Sequence, residues 1–338
     1  MSAAYPWLAP AWDDLSRRHA AGRLGHAFLV AGRSGLGKRA LAQAFAERVL
    51  CEGADGAPAG SSACGRCRSC LLIASGNHPD LKRVAPEEER KSIGIEQVRE
   101  LLAFFALTSH YGRHKVVLIE PAEAMTTAAA NALLKMLEEP PGNALLVLVS
   151  HRPGQLLPTI LSRCQKVTIR TPDWTTCRAW LAACRRDNPA LPDPDAQTLA
   201  GAPLAILARL EAGEASLHDC LLETLAAIGD GTLDVIAGAR RHAGCDAREL
   251  VDALELVVGA LIEVASGLSP RFVHLAPAAA RSLQDLANQL NSGPLFRYLD
   301  QLGEARGMLL RSSGVRGAEV FENLLFHWSR IARTETTA

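Results

Sequence analysis

The chain carries two rhythms of apolar and polar residues. Up to about residue 170, short apolar runs alternate with amphipathic stretches; after it, only the helical period persists. The runs "AFLV" from Ala27, "KVVLIE" from Lys115, "NALLVLVS" from Asn143 and "QKVTIR" from Gln165 predict buried strands. Between them, "GIEQVRELLAFFAL" sets Ile95, Val98, Leu101, Leu102 and Phe105 at helical intervals. A helix is expected from about Lys38 to Leu50. "TTAAANALLKMLEEPP" predicts another, capped by Thr126 or Thr127 and stopped by Pro140-Pro141. Strands alternating with helices argue for a mostly parallel sheet covered on both faces. Beyond residue 170, "WTTCRAWLAACRRD", "DAQTLAGAPLAILARL" and "ELVDALELVVGALIEVA" all read as helices, punctuated by Pro189, Pro192, Pro194, Gly229, Gly231, Gly267 and Pro277. The expected layout is an α/β domain over 1–169, a short helical domain over 170–207 and a larger helical domain over 208–338.

Composition narrows the function classes. The 338 residues suffice for two or three cores, and 36 Lys+Arg against 36 Asp+Glu leave no net charge. A neutral chain is ill suited to gripping DNA alone, because phosphate binding is chiefly a Lys/Arg effect. No apolar run approaches the roughly 20 residues of a membrane helix. The opening "MSAAYPWLAPAWDDL" lacks a signal-peptide layout. The expectation is a cytoplasmic protein without membrane contact, so its nine cysteines call for something other than disulfides.

"GRSGLGKR" (32–39) nearly completes G-x-x-x-x-G-K-[ST]. In that motif, backbone N–H groups hold phosphate oxygens, the Lys reaches the outer phosphates, and a hydroxyl ligates magnesium. Gly32, Gly35, Gly37 and Lys38 are present, but Arg39 stands where the hydroxyl belongs. Two readings stay open: a glycine turn without ligand, and a vestigial loop that holds ATP or ADP weakly. "KVVLIEPAEAM" resembles the acidic strand of nucleoside triphosphatases, yet Glu120-Pro121 replaces the Asp-Glu that would hold magnesium and polarise water. Glu123 is no assumed substitute, and Glu120 reads equally as a solvated acid at a strand end. Lost magnesium binding and lost water activation both point away from hydrolysis.

Cys51, Cys64, Cys67 and Cys70 form C-x12-C-x2-C-x2-C. Four thiolates so spaced in a reduced chain suit a closed, structural zinc site without catalysis, the alternative being free thiols. Cys164, Cys177, Cys184, Cys220 and Cys245 read as small buried residues, and His110 and His114 as solvent-exposed.

"NALLKMLEEPP" (131–141) and "LLPTILSRC" (156–164) resemble the paired signatures of bacterial clamp-loader subunits of the AAA+ class. "YPWL", "GHAFLVAG" and "CGRCRSCLLIASGNHPD" extend the resemblance over about the first 170 residues, and "ENLLFHW" extends it more weakly near the end. It implies an AAA+-type P-loop core with a zinc module at 51–70, then a small helical lid and an all-α collar. Motor members of that family keep Gly-Lys-Thr, Asp-Glu, a sensing Arg and a sensing Thr. Here those places hold Arg39, Glu120-Pro121, Leu204 and Ser150 or His151. The resemblance therefore implies a non-hydrolysing ring member whose Arg163, in "SRC", reaches ATP held by an adjacent motor. Taken alone, Arg163 reads as a surface arginine. Lys135, Glu138 and Glu139 are expected to face solvent or a neighbour, and His26 and His78 carry no assigned chemistry. The implied partners are the gamma/tau motor subunits and the delta subunit of the loader, with the sliding clamp and primer-template DNA reached through the complex. Two rivals remain: an active motor ATPase of the same loader, and a stand-alone zinc-dependent nucleic-acid-binding module.

Overall fold

The computed structural model describes residues 5–54, 61–87, 92–111, 113–191, 199–200, 202–212, 216–270, 273–274, 277–311 and 316–333. Pro192, Pro194 and the middle of the 51–70 stretch lie outside the described residues. The chain divides into two units, residues 1–172 and 173–338.

Five parallel strands organise the first unit: β1 (Ala27–Ala31), β2 (Leu81–Val84), β3 (Lys115–Ile119), β4 (Ala144–Ser150) and β5 (Gln165–Thr168), in the order β2-β3-β4-β1-β5. The central strands β1, β3 and β4 are buried throughout, as strands covered on both faces must be. The edges depart from expectation. Only Val167 is buried in β5, where a buried strand was predicted. β2, "LKRV", went unrecognised because two cations in four residues hide its apolar positions. Both are edge strands, where charge and polarity blunt further pairing.

Helices close both faces: α1 (Ala9–Ala20), α2 (Lys38–Leu50), α3 (Arg68–Ala74), α4 (Ile95–Ala106), α5 (Thr127–Glu138) and the short α6 (Pro158–Leu161). Alternate residues of the strands divide between the two sides. Leu29, Val117 and Leu146 join Val98, Leu101 and Leu133 of α4 and α5 in one core. On the other side Phe28 meets Phe45 of α2 edge-on, ring centroids 6.1 Å apart. Leu102, expected inside, is exposed. Thr126 caps α5, its hydroxyl accepting the Ala129 N–H at 3.2 Å, and the helix ends before Pro140-Pro141, since proline disfavours a helical residue ahead of it. The expected parallel sheet with helices on both faces is present in this unit.

The second unit holds α7 (Trp174–Asp187), α8 (Pro203–Ala212), α9 (Leu217–Gly229), α10 (Val235–Arg241), α11 (Ala247–Ala265), α12 (Pro277–Gln289), α13 (Ser292–Arg311) and α14 (Gly317–Arg333). Asp173, Ser216, Asp234 and Asp246 cap helices α7, α9, α10 and α11 through their side-chain oxygens. A two-stranded antiparallel ladder pairs β6 (Leu199–Ala200), where a helix was expected, with β7 (Val273–His274), while the rest of "DAQTLAG" lies outside the described residues. Two-residue strands are too short to show a period of two. α11 is the central helix of this unit, packing on α9, α12, α13 and α14. The indole N–H of buried Trp328 donates to the Leu225 carbonyl at 2.9 Å, and the Tyr298 hydroxyl to that of Leu324 at 3.0 Å, so each large aromatic keeps its polar atom satisfied. No described helix is long and apolar enough to cross a membrane.

Candidate functional site

The carboxyl ends of β1, β3 and β4 share one edge of the sheet, the place where open parallel sheets hold their ligands. The glycine-rich loop leaves β1 there. Gly32 donates its N–H to the Ser150 carbonyl at 3.3 Å, and any Cβ on it would fall 2.5 Å from the Ile169 carbonyl oxygen. Gly37, at φ +76°, turns the chain into α2. Lys38 follows as the first helical residue and is only 2% exposed. Its ammonium donates to the Arg33 carbonyl of its own loop. Burial brings its pKa down to about 8 against the pull of Glu123 and Glu120.

Arg39 and Glu120, two of the residues at which the sequence differs from the motor pattern, meet each other. Arg39 Nε lies 3.4 Å from Glu120 Oε2, the arginine side chain itself being 80% exposed. Burial nevertheless raises the Glu120 pKa, with Arg39 and Lys38 opposing. Glu123, set aside in the sequence, is part of this place. Its Oε1 accepts the N–H groups of His151 at 2.9 Å and Arg152 at 3.2 Å. It thereby clasps the turn after β3 to the end of β4. Its Oε1 is engaged by backbone, while Oε2 is buried with no hydrogen-bond partner among the described residues. The half-buried His151 imidazole is held below its ordinary pKa by burial and by Lys38. Buried Ser150 accepts the Arg152 N–H at 3.2 Å on its hydroxyl. Lys38, Arg39, Glu120 and Glu123 thus lie close together, with Arg39–Glu120 paired and the Lys38 ammonium under the electrostatic pull of Glu123 and Glu120.

Arg163 sits elsewhere, directly after α6. Its Nη2 donates to Glu138 Oε1, the last residue of α5, at 2.7 Å. Its Nη1 donates to the Thr159 carbonyl at 3.1 Å and to the Ser162 hydroxyl at 3.4 Å. The two sequence signatures, "NALLKMLEEPP" and "LLPTILSRC", are therefore joined by one ion pair. Glu138, expected to face solvent or a neighbour, turns to an arginine of its own chain; opposite charge was the available signal, but no spacing rule connects residues so far apart.

The four cysteines come together. Cys51 ends α2, Cys67 caps α3, Cys70 lies within α3, and Cys64 precedes them; the four sulfurs lie within 4.8 Å of one another. Two pairs, Cys51–Cys67 and Cys64–Cys70, are 4.0 Å apart. A tetrahedral site with Zn–S of about 2.3 Å has sulfur–sulfur edges of about 3.8 Å, so the donor set fits zinc. Backbone N–H groups point at sulfur as in such knuckles: Cys64 N to Cys51 Sγ at 3.3 Å, Cys67 N to Cys64 Sγ at 3.3 Å, and Cys70 N to Cys67 Sγ at 3.4 Å. The N–H groups of Arg66 and Cys67 lower the Cys64 thiol to about 6, while burial raises Cys51 and Cys70. Behind the sulfurs, Ser69 is fully buried and donates to the Leu50 carbonyl at 2.7 Å. It also meets His78 Nε2 at 2.7 Å, and His78 Nδ1 accepts the Asp80 N–H at 3.1 Å. That pattern fixes a neutral His78 donating to Ser69, so "GNHPD" braces the cysteine module.

The remaining thiols and imidazoles divide. Cys164 and Cys177 are buried, but Cys245 is exposed in the turn after α10. His114 is half-buried, not solvated, and burial lowers its pKa. His26 Nε2 donates to the Leu137 carbonyl at 3.0 Å. Leu204 lies in the first turn of α8.

Comparison with known proteins agrees with this geometry. A family profile described as DNA polymerase III, delta subunit, matches residues 8–173. DNA polymerase III subunit delta' of Pseudomonas aeruginosa is 44% identical over 192 residues, spanning 56% of this chain and 56% of that protein. The same subunit of Yersinia pestis is 32% identical over 338 residues, covering 98% of this chain and 97% of its own. DNA polymerase III subunit gamma/tau of Mycobacterium tuberculosis is 31% identical over 316 residues, but only 53% of that protein is covered. With a delta' relative aligned end to end at this identity, the chain belongs to the DNA polymerase III subunit delta' family.

Proposed function

We propose that this chain is the stationary, non-hydrolysing subunit of a polymerase III clamp loader, acting in the cytoplasm. It helps set a sliding clamp on primed DNA and supplies Arg163 to ATP bound by an adjacent gamma/tau-type motor. In this reading, residues 170–207 act as lid and 208–338 as collar, and the four cysteines hold a structural zinc. The observation that carries it is the Arg39–Glu120 ion pair. Where a motor needs a hydroxyl and a free acid around magnesium, this chain has a cation bound to that acid. The self-satisfied Lys38 supports the same reading, and retained ADP has no support from the loop's contacts. The active-motor alternative would need a hydroxyl at 39 and an uncommitted carboxylate near 120–123.

Arg163 has the chemistry for action in trans. A guanidinium brought to a transferring phosphoryl group stabilises charge as it spreads over the phosphoryl oxygens. The pair that holds it is partly exposed, with side-chain exposures of 36% and 50%, and such pairs contribute only about 0–1 kcal/mol. The guanidinium is therefore reachable from outside the chain, with little folding stability at stake. Reconstitution tests the assignment: gamma/tau-type motors, a delta subunit and clamp from the same organism are assayed for clamp loading on primed DNA with and without this chain. Loading is expected only when the chain is present, and equal loading without it would remove the proposed role.

A further inference from the structure

The contact between Arg163 and Glu138 carries more than the arginine's address. Glu138 is the last residue of α5, where the carbonyl end of a helix disfavours an acid. A carboxylate there does nothing for its own helix, and it spends its Oε1 on Arg163 at 2.7 Å. The guanidinium has five N–H donors. Nη1 donates to the Thr159 carbonyl and the Ser162 hydroxyl, and Nη2 to Glu138. Among the described residues Nε has no partner and Nη2 keeps a hydrogen uncommitted. A long, rotamer-rich side chain is thus held at the ends of two helices with donors still free, so a phosphoryl oxygen could be met without breaking the Glu138 contact. Holding a catalytic group in place before the reaction lowers the entropic part of the barrier.

We propose that Glu138 is a positioning residue: it fixes the Arg163 guanidinium so that its free donors are preset for the phosphoryl group of a nucleoside triphosphate bound by a neighbouring subunit. This rests on the reading of Arg163 given above. The test uses the assembled loader with Glu138→Ala, Glu138→Gln, Arg163→Ala and the Glu138→Ala/Arg163→Ala double variant, each chain first checked for an unchanged melting curve. Glu138→Ala is expected to lower kcat for ATP about 3–10-fold with KM unaltered, the signature of an interaction made only in the transition state. Glu138→Gln, which keeps an acceptor oxygen, is expected to retain about half of the lost rate. In the Arg163→Ala background, Glu138→Ala should change nothing further. An undiminished kcat in Glu138→Ala, alongside a depressed one in Arg163→Ala, overturns the positioning role and leaves Arg163 standing. A further fall in the double variant also overturns it, since Glu138 would then act by another route. A normal rate in Arg163→Ala removes both proposals together.

Discussion

Replacing Arg163 with alanine is expected to depress ATP turnover in the assembled loader, at the one site it faces, while leaving this chain folded. The fold should tolerate the change because the side chain's ion pair is half exposed and adds at most about 1 kcal/mol. Its other contacts run to the end of the short helix Pro158–Leu161. The expected kinetic effect is far larger. An arginine supplied in trans to a phosphoryl group changes rates by about 10³–10⁵ in other systems, so a loss of roughly 10³ is expected at the one nucleotide site that Arg163 faces. Single-turnover hydrolysis with primed DNA and clamp present would resolve that site from the rest. An Arg163→Lys variant should recover little, because an ammonium lacks the planar fork. A normal single-turnover rate in Arg163→Ala, with the complex intact by size, would rule the arginine out as a trans-acting group.

Loss of zinc ranks second in expected effect. Elemental analysis of carefully purified protein should find about one zinc per chain, and Cys70→Ser should remove most of it. Beyond the Ser69–His78 brace, the module has little apolar support. Its cluster is Cys51 and Cys70 with Ala63 and Cys67 packed alongside, too few apolar groups to form a core. A structural zinc supplies folding free energy directly, about 10–16 kcal/mol in isolated finger peptides. In this larger unit part of the fold persists without metal, so a fall in Tm of about 10 °C is expected for Cys70→Ser or for chelated wild type. Cys245→Ser, at an exposed thiol outside the module, is the matched control and should change neither metal content nor Tm. Substoichiometric zinc in native protein, or an unshifted melting curve in Cys70→Ser, would return these residues to the class of free thiols.

Much of the core was legible because its signals are local. β1, β3 and β4 stand out as apolar runs since both of their faces are covered. The cysteine spacing worked for the same reason: Cys64, Cys67 and Cys70 fall within seven residues, and α2 and α3 bring Cys51 to them. The misses have physical causes. β2 and β5 are edges, where polar side chains break the pattern. Glu123 was passed over because its value lies in a contact with the backbone of His151 and Arg152, residues brought beside it only by β3–β4 pairing. Glu138 is exposed as expected, but its pairing with Arg163 was not foreseen because that partner is supplied by a different helix end. Sequence periodicity reports which face of an element is buried, and it is silent on which charged tips meet.

The nucleotide loop is where function departs most from the fold that carries it. Strand, glycine turn and helix are all in place, yet Arg39 pairs with Glu120, Lys38 donates to its own loop's carbonyl and Glu123 Oε1 accepts backbone N–H groups. The most direct measurement is ATP hydrolysis by the purified, isolated chain with magnesium, set beside Lys38→Ala. No turnover above background is expected from either protein. Appreciable hydrolysis by the native chain that disappears in Lys38→Ala would mean that the loop is a working active site, and the description of this subunit as non-hydrolysing would be wrong.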